Sequence, residues 1–482
     1  MFTNTLRLAL AALCASTVLA VPSLEARGAD FVNPKTGNRF QILGVAYQPG
    51  GESGYKPESG VDALADGEVC LRDAALMQRL GINAIRVYNL SPEINHDACA
   101  SIFNAVGIYM LIDVNSPKIG ESLHREEPWT TYTPSYLNRT FAVVEAFKNY
   151  PNTLLFFSGN EVINDLKTGD VIPPYIRAVT RDLKNYVAKH STRPIPVGYS
   201  AADVREFLID TWNYLRCTTT ADASDPSIAD IFALNSYSWC GDSSFKTSSY
   251  DTLVADFKGT NVPIFFSEYG CNEPTPRIFT EVPVLYGPLM TPVLSGGLVY
   301  EYSQEKSNYG LVTINTDGSA KLLADYDTLQ KQYNTLNVTA LQGVKAVNST
   351  ITPPKCQSSI IKEKGFSNNF TIPAILKEAQ VFVDNGVKLS YTPKLIPVTT
   401  TKVSQVVKQS DGTTIEGLSI TVLADDESNT PSGQKPSSSG SSTSSSSSSA
   451  ASPTASKKSG AGSVQASMGA LTVVGLLFAA LL

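Results

Sequence analysis

Eight short apolar runs recur along residues 38–330, and longer stretches with a helical spacing of apolar side chains separate them. β-Branched and aromatic residues dominate the runs, which is typical of strands buried on both faces. The predicted strands are Phe40–Tyr47, Asn83–Tyr88, Tyr109–Val114, Leu154–Phe157, Ile195–Tyr199, Ile231–Leu234, Ile264–Phe266 and Leu298–Tyr302. The clearest predicted helices are Ala63–Leu80, Tyr136–Tyr150, Tyr175–His190 and Val204–Leu215.

This alternation predicts an α/β fold in which helices cover a parallel sheet. Eight strand–helix units in roughly 300 residues fit a (β/α)8 TIM barrel. We assign the barrel to residues 21–335. A doubly wound open sheet is the alternative, with less support because no glycine-rich phosphate loop follows the first strand.

Two glutamates stand at the ends of apolar strands, where a TIM barrel places its chemistry. Glu161 follows the fourth predicted strand, and Glu268 follows the seventh. A lone glutamate there is often a salt-bridge partner, because a buried carboxylate is costly without one. A pair facing one cleft suits glycoside hydrolysis, in which one carboxyl group protonates the leaving oxygen and the other attacks the sugar. Glu161 and Glu268 are therefore the candidate catalytic pair.

Other polar residues near the predicted strand ends suggest supporting roles. Asn160 is expected to hold a sugar 2-hydroxyl, and Tyr237 to hydrogen-bond the nucleophile and keep it ionised. Aromatic rings with apolar faces and polar tips suit sugar binding: Tyr88, Tyr269, Tyr300 and Tyr302. Two rival acids are also present. Asp113 is expected to fix either substrate or a neighbouring arginine, and Glu301 is expected to pair with Arg86.

The composition narrows the class of protein. Lys and Arg number 38 and Asp and Glu number 44, so the formal net charge is 38 − 44 = −6. Nucleic-acid binding needs concentrated positive charge, so a nucleic-acid partner is not expected. With three His and no CxxC pair, we expect neither a metal site nor an organic cofactor.

Both ends of the chain resemble targeting signals. Residues 1–20 place Arg7 before an apolar run that ends in small residues, which predicts a secretory signal peptide. Residues 459–482 end in an apolar tail after a polar spacer, which predicts a GPI-anchor signal with attachment near Ser459. A tail-anchored membrane protein is the alternative, but the tail is short for a bilayer. The serine-rich residues 429–458 are predicted to form a flexible linker.

The cysteines and sequons fit a secreted chain. Six cysteines remain once Cys14 leaves with the signal peptide, which implies three disulfides. Their spacing alone leaves 15 connectivities open. Four sequons are candidate glycosylation sites: Asn138, Asn337, Asn348 and Asn369. Residues 336–428 contain the β-type runs Ala379–Val383 and Ser419–Val422, which predict a small β-rich appendage with a structural role.

Six stretches between about residues 30 and 330 resemble glycoside hydrolase family 72. This family comprises the β-1,3-glucanosyltransferases of fungal cell walls, the Gas, Gel and Phr proteins. The stretches are Gly44-Val-Ala-Tyr-Gln, Arg86-Val-Tyr-Asn, Ser158-Gly-Asn-Glu, Asn235-Ser-Tyr-Ser-Trp-Cys, Phe266-Ser-Glu-Tyr-Gly-Cys and Gly297-Leu-Val-Tyr-Glu-Tyr-Ser-Gln-Glu. The serine-rich linker and the GPI signal also resemble the family. No cysteine follows Cys356, as in the subgroup without a cysteine-rich carbohydrate-binding module.

The resemblance implies roles for particular residues. Glu161 would be the acid/base of a retaining mechanism and Glu268 the nucleophile. The implied substrate-binding residues are Tyr88, Asn115 with the loop that it begins, Asn160, Asp203, Tyr237 and Tyr300. Asp203 would contact the acceptor sugar; the Arg that the family often has five residues later is Leu208 here, and Arg205 is a candidate substitute. The implied disulfides are Cys70–Cys99, Cys217–Cys356 and Cys240–Cys271.

The activity that the resemblance implies is β-1,3-glucanosyl transfer in cell-wall glucan elongation. An internal β-1,3 bond of a donor glucan is cleaved, and the new reducing end is joined to the non-reducing end of an acceptor glucan. The chain would act as a monomer without cofactors, held at the outer face of the plasma membrane by a GPI lipid or placed in the cell wall. Two alternatives stay open. One is a retaining endo-β-1,3-glucanase, and the other is a wall-bound lectin, for which loss of one carboxylate would be expected.

Overall fold

The computed structural model describes residues 20–220, 224–347, 352–425 and 427–431. The predicted signal peptide up to residue 19, the sequon Asn348, the linker beyond residue 431 and the predicted GPI signal with Ser459 lie outside these ranges. Within the described ranges, no helix combines the length and the apolar composition that crossing a bilayer requires.

Eight parallel strands close into a barrel, and each strand is hydrogen-bonded to the one that follows it in the chain. We number them β1 Ile42–Ala46, β2 Ala84–Val87, β3 Tyr109–Asp113, β4 Thr153–Asn160, β5 Val197–Ala202, β6 Ile231–Ser236, β7 Ile264–Tyr269 and β8 Leu294–Val299. The predicted TIM barrel is confirmed, and the open-sheet alternative is excluded because β8 pairs back onto β1.

A helix follows each strand and covers the outside of the barrel. These helices are α1 Gly67–Leu80, α2 Asp97–Ala105, α3 Pro134–Phe147, α4 Pro173–His190, α5 Leu208–Arg216, α6 Tyr250–Phe257, α7 Val282–Leu285 and α8 Ala324–Tyr333. Shorter helical turns lie in the connections, at Glu52–Gly54, Pro57–Ser59, Pro128–Thr131 and Leu166–Val171. The ends of α1 have clear causes. Asp66 accepts from the backbone N–H groups of Glu68 and Val69, and Gly81 ends the helix in a left-handed conformation.

Apolar side chains fill the N-terminal end of the barrel. Ahead of β1 the chain forms a small antiparallel sheet of Glu25–Arg27, Asp30–Val32 and Arg39–Phe40. Phe31 of this sheet contacts Phe265 with ring centroids 5.7 Å apart, and Phe40 contacts Tyr109 at 5.1 Å. Phe40 is predicted as the start of the first barrel strand. It lies instead in this small sheet, where its side chain covers the end of the barrel. The opposite, C-terminal end is left for a cleft.

Strand β8 begins earlier than predicted. The predicted strand is Leu298–Tyr302, whereas the observed strand is Leu294–Val299. Gly296 has a φ of +89°, and a Cβ there would lie 2.2 Å from the carbonyl oxygen of Ile42 in β1. The close approach of β8 to β1 therefore requires glycine, which removes the apolar signal that marks the other strands.

Residues 336–428, predicted as a β-rich appendage, are mostly irregular in their described parts. Their regular elements are Val338–Gln342, Ser358–Ile360, Lys377–Asn385 and the short strand Val407–Lys408. The predicted strand at Ala379–Val383 is wrong, because this stretch lies in a helix. Val381 is 53% exposed while Ala379 and Val383 are buried, which is the i, i+4 pattern of a helix. At the other predicted run, Ser419–Val422, the structure shows an isolated bridge from Ser419.

This C-terminal segment lies along the outside of the barrel. The Tyr214 hydroxyl of α5 donates to the carbonyl oxygen of Asn369 at 2.5 Å. Near the end of the described chain, Asn429 donates to the carbonyl oxygens of Ile82 and Val106, both at 2.7 Å. Ile82 and Val106 precede β2 and β3, so the described chain ends beside the N-terminal end of the barrel.

Three disulfides join parts of the described chain: Cys70–Cys99, Cys217–Cys356 and Cys240–Cys271. They are the pairs that the family resemblance implies. The first joins α1 to α2, the second ties the C-terminal segment to the end of α5, and the third joins the loops after β6 and β7. Of the predicted glycosylation sites, Asn337 and Asn369 are exposed and Asn138 is half-buried in α3; glycosylation stays a prediction.

Candidate active site

The two predicted acids meet at the C-terminal end of the barrel. Glu161 directly follows β4, and Glu268 lies in β7. Glu161 has a φ of +50°, a left-handed conformation that costs a residue other than glycine about 1–2 kcal/mol. Its backbone N–H donates to the carbonyl oxygen of Ser200 at 2.9 Å, which holds this turn in place. Backbone strain of this kind is concentrated at functional sites.

Arg86 of β2 is fully buried at the centre of the site. Its guanidinium donates two hydrogen bonds to Asp113, at 2.8 and 3.0 Å, and one to Oε1 of Glu268 at 3.2 Å. Of the two roles open for Asp113, pairing with an arginine is the one observed. The predicted pairing of Arg86 with Glu301 is wrong, because these inward-facing acceptors occupy the guanidinium. Glu301 is buried beside Glu305 instead.

Glu268 is held by donors at both carboxylate oxygens. The Tyr88 hydroxyl donates to Oε1 at 2.9 Å, and the Tyr237 hydroxyl donates to Oε2 at 2.7 Å. Burial raises the pKa of Glu268 to about 7, while the charge of Arg86 and the tyrosine hydrogen bonds act in the opposite direction. The donors around Glu268 thus favour its charged form.

Glu161 has a different environment. Its Oε1 accepts a hydrogen bond from Nδ2 of Asn235 at 2.9 Å. Burial raises the pKa of Glu161 above its ordinary value, while Asn235 and the charge of Arg86 lower it. The negative charge of Glu161 in turn contributes to the raised pKa of Glu268. A raised pKa suits a group that must carry a proton near neutral pH.

Two asparagines connect these groups. Oδ1 of Asn160 accepts from Nη2 of Arg86 and from Nδ2 of Asn235, each at 3.0 Å. Asn160 is a predicted site residue because of its place beside Glu161. Asn235 is missing from the predicted site, although its position at the end of an apolar strand is the same signal that marks Glu268.

Tyrosine rings form a wall beside Glu268. Tyr237, Tyr300 and Tyr309 pack edge to face, with ring centroids 5.4 to 6.3 Å apart. Such rings present apolar faces and polar edges to a sugar. Tyr237 and Tyr300 are predicted residues. Tyr309 is not, because it lies in the irregular loop after β8, where no spacing pattern marks it.

Tyr269 and Tyr302, also suggested as sugar-binding rings, point away from the cleft. Both are fully buried. The hydroxyl of Tyr269 hydrogen-bonds that of Tyr333 in α8 at 3.0 Å, and Tyr302 donates to Asp73 in α1 at 2.7 Å. Successive side chains alternate across a strand, so the neighbour of an inward-facing residue such as Glu268 faces the helices.

Asn115 supports the loop after β3. Its amide donates to the carbonyl oxygen of Ser158 at 3.1 Å, and its Oδ1 accepts from the Tyr136 hydroxyl at 2.8 Å. Farther along the loop, Glu121 accepts from Arg139 at 2.7 Å. The predicted donor-binding loop is therefore a fixed part of the rim, in which Asn115 is an anchor.

Asp203 follows β5 on the same rim. It forms an ion pair with Arg205 and accepts from the Ser236 hydroxyl at 2.7 Å. Arg205 also donates to the carbonyl oxygen of Ser249 at 3.1 Å. Leu208 is 2% exposed at the start of α5 and belongs to the apolar core. The positive charge beside Asp203 therefore comes from Arg205.

The arrangement suits chemistry on a sugar. Among the residues that the structure describes, no group of three or more His, Cys, Asp and Glu side chains is placed to hold a metal ion. What the site offers is two carboxyl groups whose pKa values are raised by burial, only one of which is held by several donors, and an aromatic wall. A TIM barrel with two such carboxyl groups at its C-terminal end has the features of enzymes that cleave glycosidic bonds.

Comparison with known proteins identifies the family. The chain belongs to glycoside hydrolase family 72, the glucanosyltransferases, whose profile matches residues 13–337. The 1,3-beta-glucanosyltransferase gel2 of Aspergillus fumigatus is 52% identical over 466 residues, which cover 97% of this chain and 95% of that protein. The probable 1,3-beta-glucanosyltransferase GAS3 of Saccharomyces cerevisiae is 45% identical over 407 residues, 80% of this chain and 77% of that protein.

A solved structure shows the same similarity in three dimensions. It is a variant of Saccharomyces cerevisiae Gas2p in complex with laminaritetraose and laminaripentaose. Its TM-score to this chain is 0.64 at 34% sequence identity, with 75% of this chain and 76% of that chain covered.

Proposed function

We propose that this protein is a β-1,3-glucanosyltransferase in which Glu268 is the nucleophile and Glu161 the acid/base of a retaining mechanism. The observation that carries this assignment is the contrast between the two carboxyl groups. Glu268 accepts from the Arg86 guanidinium and from two tyrosine hydroxyls, whereas Glu161 accepts from the neutral amide of Asn235. A nucleophile must be charged and an acid must hold a proton, so the donors mark Glu268 as the nucleophile.

The reaction proceeds in two displacements. In the first, Glu268 attacks the anomeric carbon of an internal β-1,3-linked glucosyl unit while Glu161 protonates the departing oxygen. One part of the donor leaves, and the other stays as a covalent glycosyl-enzyme. In the second, Glu161 takes the proton of a hydroxyl at the non-reducing end of an acceptor glucan, which displaces Glu268. Two inversions at the same carbon retain its configuration.

The choice between transfer and hydrolysis depends on the acceptor. A glucan hydroxyl and water compete for the same intermediate, and a barrier difference of about 1.4 kcal/mol changes their ratio tenfold. We place the acceptor sugar at the rim beside Asp203, whose carboxylate is oriented by Arg205. The names of the relatives support transfer, since gel2 is named a 1,3-beta-glucanosyltransferase and GAS3 a probable one.

The donor is proposed to be a β-1,3-glucan chain. A solved relative holds laminaritetraose and laminaripentaose, and the wall of Tyr237, Tyr300 and Tyr309 offers rings to successive glucosyl units. Tyr88 and Asn160 complete the donor side, because both lie beside a catalytic carboxyl group. Asn115 contributes indirectly by holding the loop.

We place the mature chain outside the cell. The signal at residues 1–20 would direct secretion, and the signal at residues 459–482 would give a GPI lipid attached near Ser459. The serine-rich residues 429–458 would then separate a monomeric barrel from the plasma membrane. Phosphatidylinositol-specific phospholipase C applied to intact cells should release the protein, and full retention would contradict a GPI anchor.

Product sizes test the activity directly. The purified chain would be incubated with reduced β-1,3-gluco-oligosaccharides of several lengths, and the products weighed by mass spectrometry. Products longer than the starting material are expected. Products that are only shorter would establish the endo-β-1,3-glucanase alternative. Glu161→Gln and Glu268→Gln should each abolish product formation, and full activity in either variant would refute the assigned site.

A further inference from the structure

Asn235 links the two halves of the catalytic site although it is neither of the two acids. It lies in β6 and is 3% exposed. Its Oδ1 accepts from Nη1 of Arg86 at 3.2 Å and from the hydroxyls of Ser200 and Ser267 at 3.1 and 2.8 Å. Three donors thus converge on one amide oxygen.

These neighbours allow one orientation of the carboxamide. A guanidinium carries only donors, so the atom of Asn235 that faces Arg86 must be the acceptor Oδ1. Nδ2 is then on the other side, where it donates to Oδ1 of Asn160 at 3.0 Å and to Oε1 of Glu161 at 2.9 Å. Both hydrogens of this nitrogen are used, and the amide is locked at both ends.

The fixed orientation of the Asn235 amide makes the two carboxyl oxygens of Glu161 different. A protonated carboxyl group has one hydroxyl oxygen and one carbonyl oxygen, and the carbonyl oxygen is the better acceptor of an N–H group. Oε1 accepts from Asn235, so the proton of the acid belongs on Oε2. We propose that Asn235 is a positioning residue that places the transferable proton of Glu161 on Oε2. This inference rests on the proposed function, in which Glu161 is the acid/base.

The same atom then serves both half-reactions. In the first, the Oε2–H bond breaks as the glycosidic oxygen gains the proton, and Glu161 becomes a carboxylate. In the second, Oε2 gains the proton of the acceptor hydroxyl while that hydroxyl's oxygen bonds to the anomeric carbon. The hydrogen bond from Asn235 to Oε1 persists throughout. The carboxyl group therefore has no need to rotate between the two steps.

The test compares a donor that needs acid catalysis with one that does not. A β-1,3-gluco-oligosaccharide must be protonated on its leaving oxygen. The 2,4-dinitrophenyl β-glycoside of the same oligosaccharide instead releases 2,4-dinitrophenolate, a leaving group that needs no proton. The value of kcat/KM would be measured for both donors with the full chain and with Asn235→Asp and Asn235→Ser. Ionised Asp keeps acceptors toward Arg86 but cannot donate to Glu161.

The expected result is a donor-dependent loss. Both Asn235 variants should lose about 10²-fold or more in kcat/KM with the natural donor and less than about tenfold with the dinitrophenyl donor. Glu161→Gln should show the same dependence. Tyr88→Phe acts on the nucleophile and should lose activity with both donors alike. Asn83→Ser is the matched control for a buried asparagine, because Asn83 is 2% exposed at the N-terminal end of the barrel. The kcat/KM of its folded fraction should equal that of the wild type with both donors.

Two results would overturn the positioning role. One is an equal loss on both donors in the Asn235 variants while Glu161→Gln keeps its donor dependence, and the other is an unchanged kcat/KM with the natural donor. If Glu161→Gln shows no donor dependence, the acid assignment and the proposed function fail instead. Circular dichroism identifies a variant that does not fold. Ser267→Ala, which removes one donor to Oδ1, then gives the same test with a smaller expected effect.

Discussion

The two ends of the barrel use the same strands for opposite purposes. At the N-terminal end the inward-facing side chains are apolar, and Phe31 and Phe40 cover them. At the C-terminal end the inward positions carry Arg86 and its two partners, Asp113 and Glu268. Packing is concentrated at one end, and charge at the other.

The difference shows the free-energy cost of burying charged groups at the candidate active site. A carboxylate removed from water is unfavourable unless it is paired and hydrogen-bonded. Arg86, Tyr88 and Tyr237 offset part of that cost, yet burial still raises the pKa of Glu268. This end of the barrel therefore contributes little to the stability of the fold, which comes from the apolar clusters.

Neutralising Glu268, the proposed nucleophile, should separate the two ends most clearly. Glu268→Gln is expected to lower kcat at least about 10⁴-fold, because an amide cannot form the glycosyl-enzyme. The folded state binds this proton more tightly than the unfolded state, so stability falls as the pH rises from the ordinary pKa of 4.5 to about 7, and the loss is complete above that pH. The variant should therefore unfold at the same or a higher temperature at pH 8. Thermal unfolding and product assays check both effects; a marked loss of stability would contradict the comparison.

The apolar end should show the reverse behaviour. Phe31 is fully buried, and Phe31→Ala is expected to lower the free energy of unfolding by about 3–5 kcal/mol. The kcat of the folded fraction should not change, since Phe31 is remote from the carboxyl groups. Urea unfolding and active-site titration measure the two quantities. Val61→Ala is the control at an apolar residue that is 44% exposed, and a drop in kcat with Phe31→Ala would show that the ends are coupled.

A smaller change at the catalytic end should move a pH profile. Tyr237 donates to Glu268 and lowers its pKa, so Tyr237→Phe should raise that pKa. A larger fraction of the nucleophile is then protonated at a given acidic pH, and the acidic limb of kcat/KM moves to higher pH. We expect about a tenfold loss in kcat/KM from one hydrogen bond to a charged group. Tyr309→Phe should leave the limb in place, and a shift toward lower pH with Tyr237→Phe would contradict this role.

The smallest effect is expected at the rim. Arg205 is partly exposed and pairs with Asp203, so Arg205→Ala should weaken acceptor binding by about 1 kcal/mol. That change lowers the ratio of transfer to hydrolysis about fivefold, while donor cleavage stays the same. The ratio is obtained from the mass spectrum of the products. An unchanged ratio would mean that Asp203 needs no partner, and a slower donor cleavage would place Arg205 on the donor side.

Features that depend on short stretches of sequence were predictable. Most strands could be located because they are runs of apolar residues, whereas the start of β8 is hidden by its glycines. The barrel rule then put Glu161 and Glu268 at one end. It was sufficient to know that each glutamate stands at the end of an apolar strand, and no interatomic distance was needed.

Features that depend on neighbours far along the chain were not predictable. The pattern of Ala379–Val383 fits both a strand and a helix, and burial against the barrel decides for the helix. Glu301 has the same local setting in the sequence as a catalytic acid. It does not pair with Arg86, because Asp113 accepts from that guanidinium. Tyr309 joins the cleft through the course of an irregular loop, which apolar periodicity does not describe.

The attachment of Asn429 beside Ile82 and Val106 gives the enzyme a direction. The carbonyl groups that Asn429 binds are at the end of the barrel opposite Glu161 and Glu268. The last described residues therefore lie at the closed end of the barrel and leave the open end uncovered. A long polymer can reach Glu161 and Glu268 along the barrel axis without meeting this part of the chain.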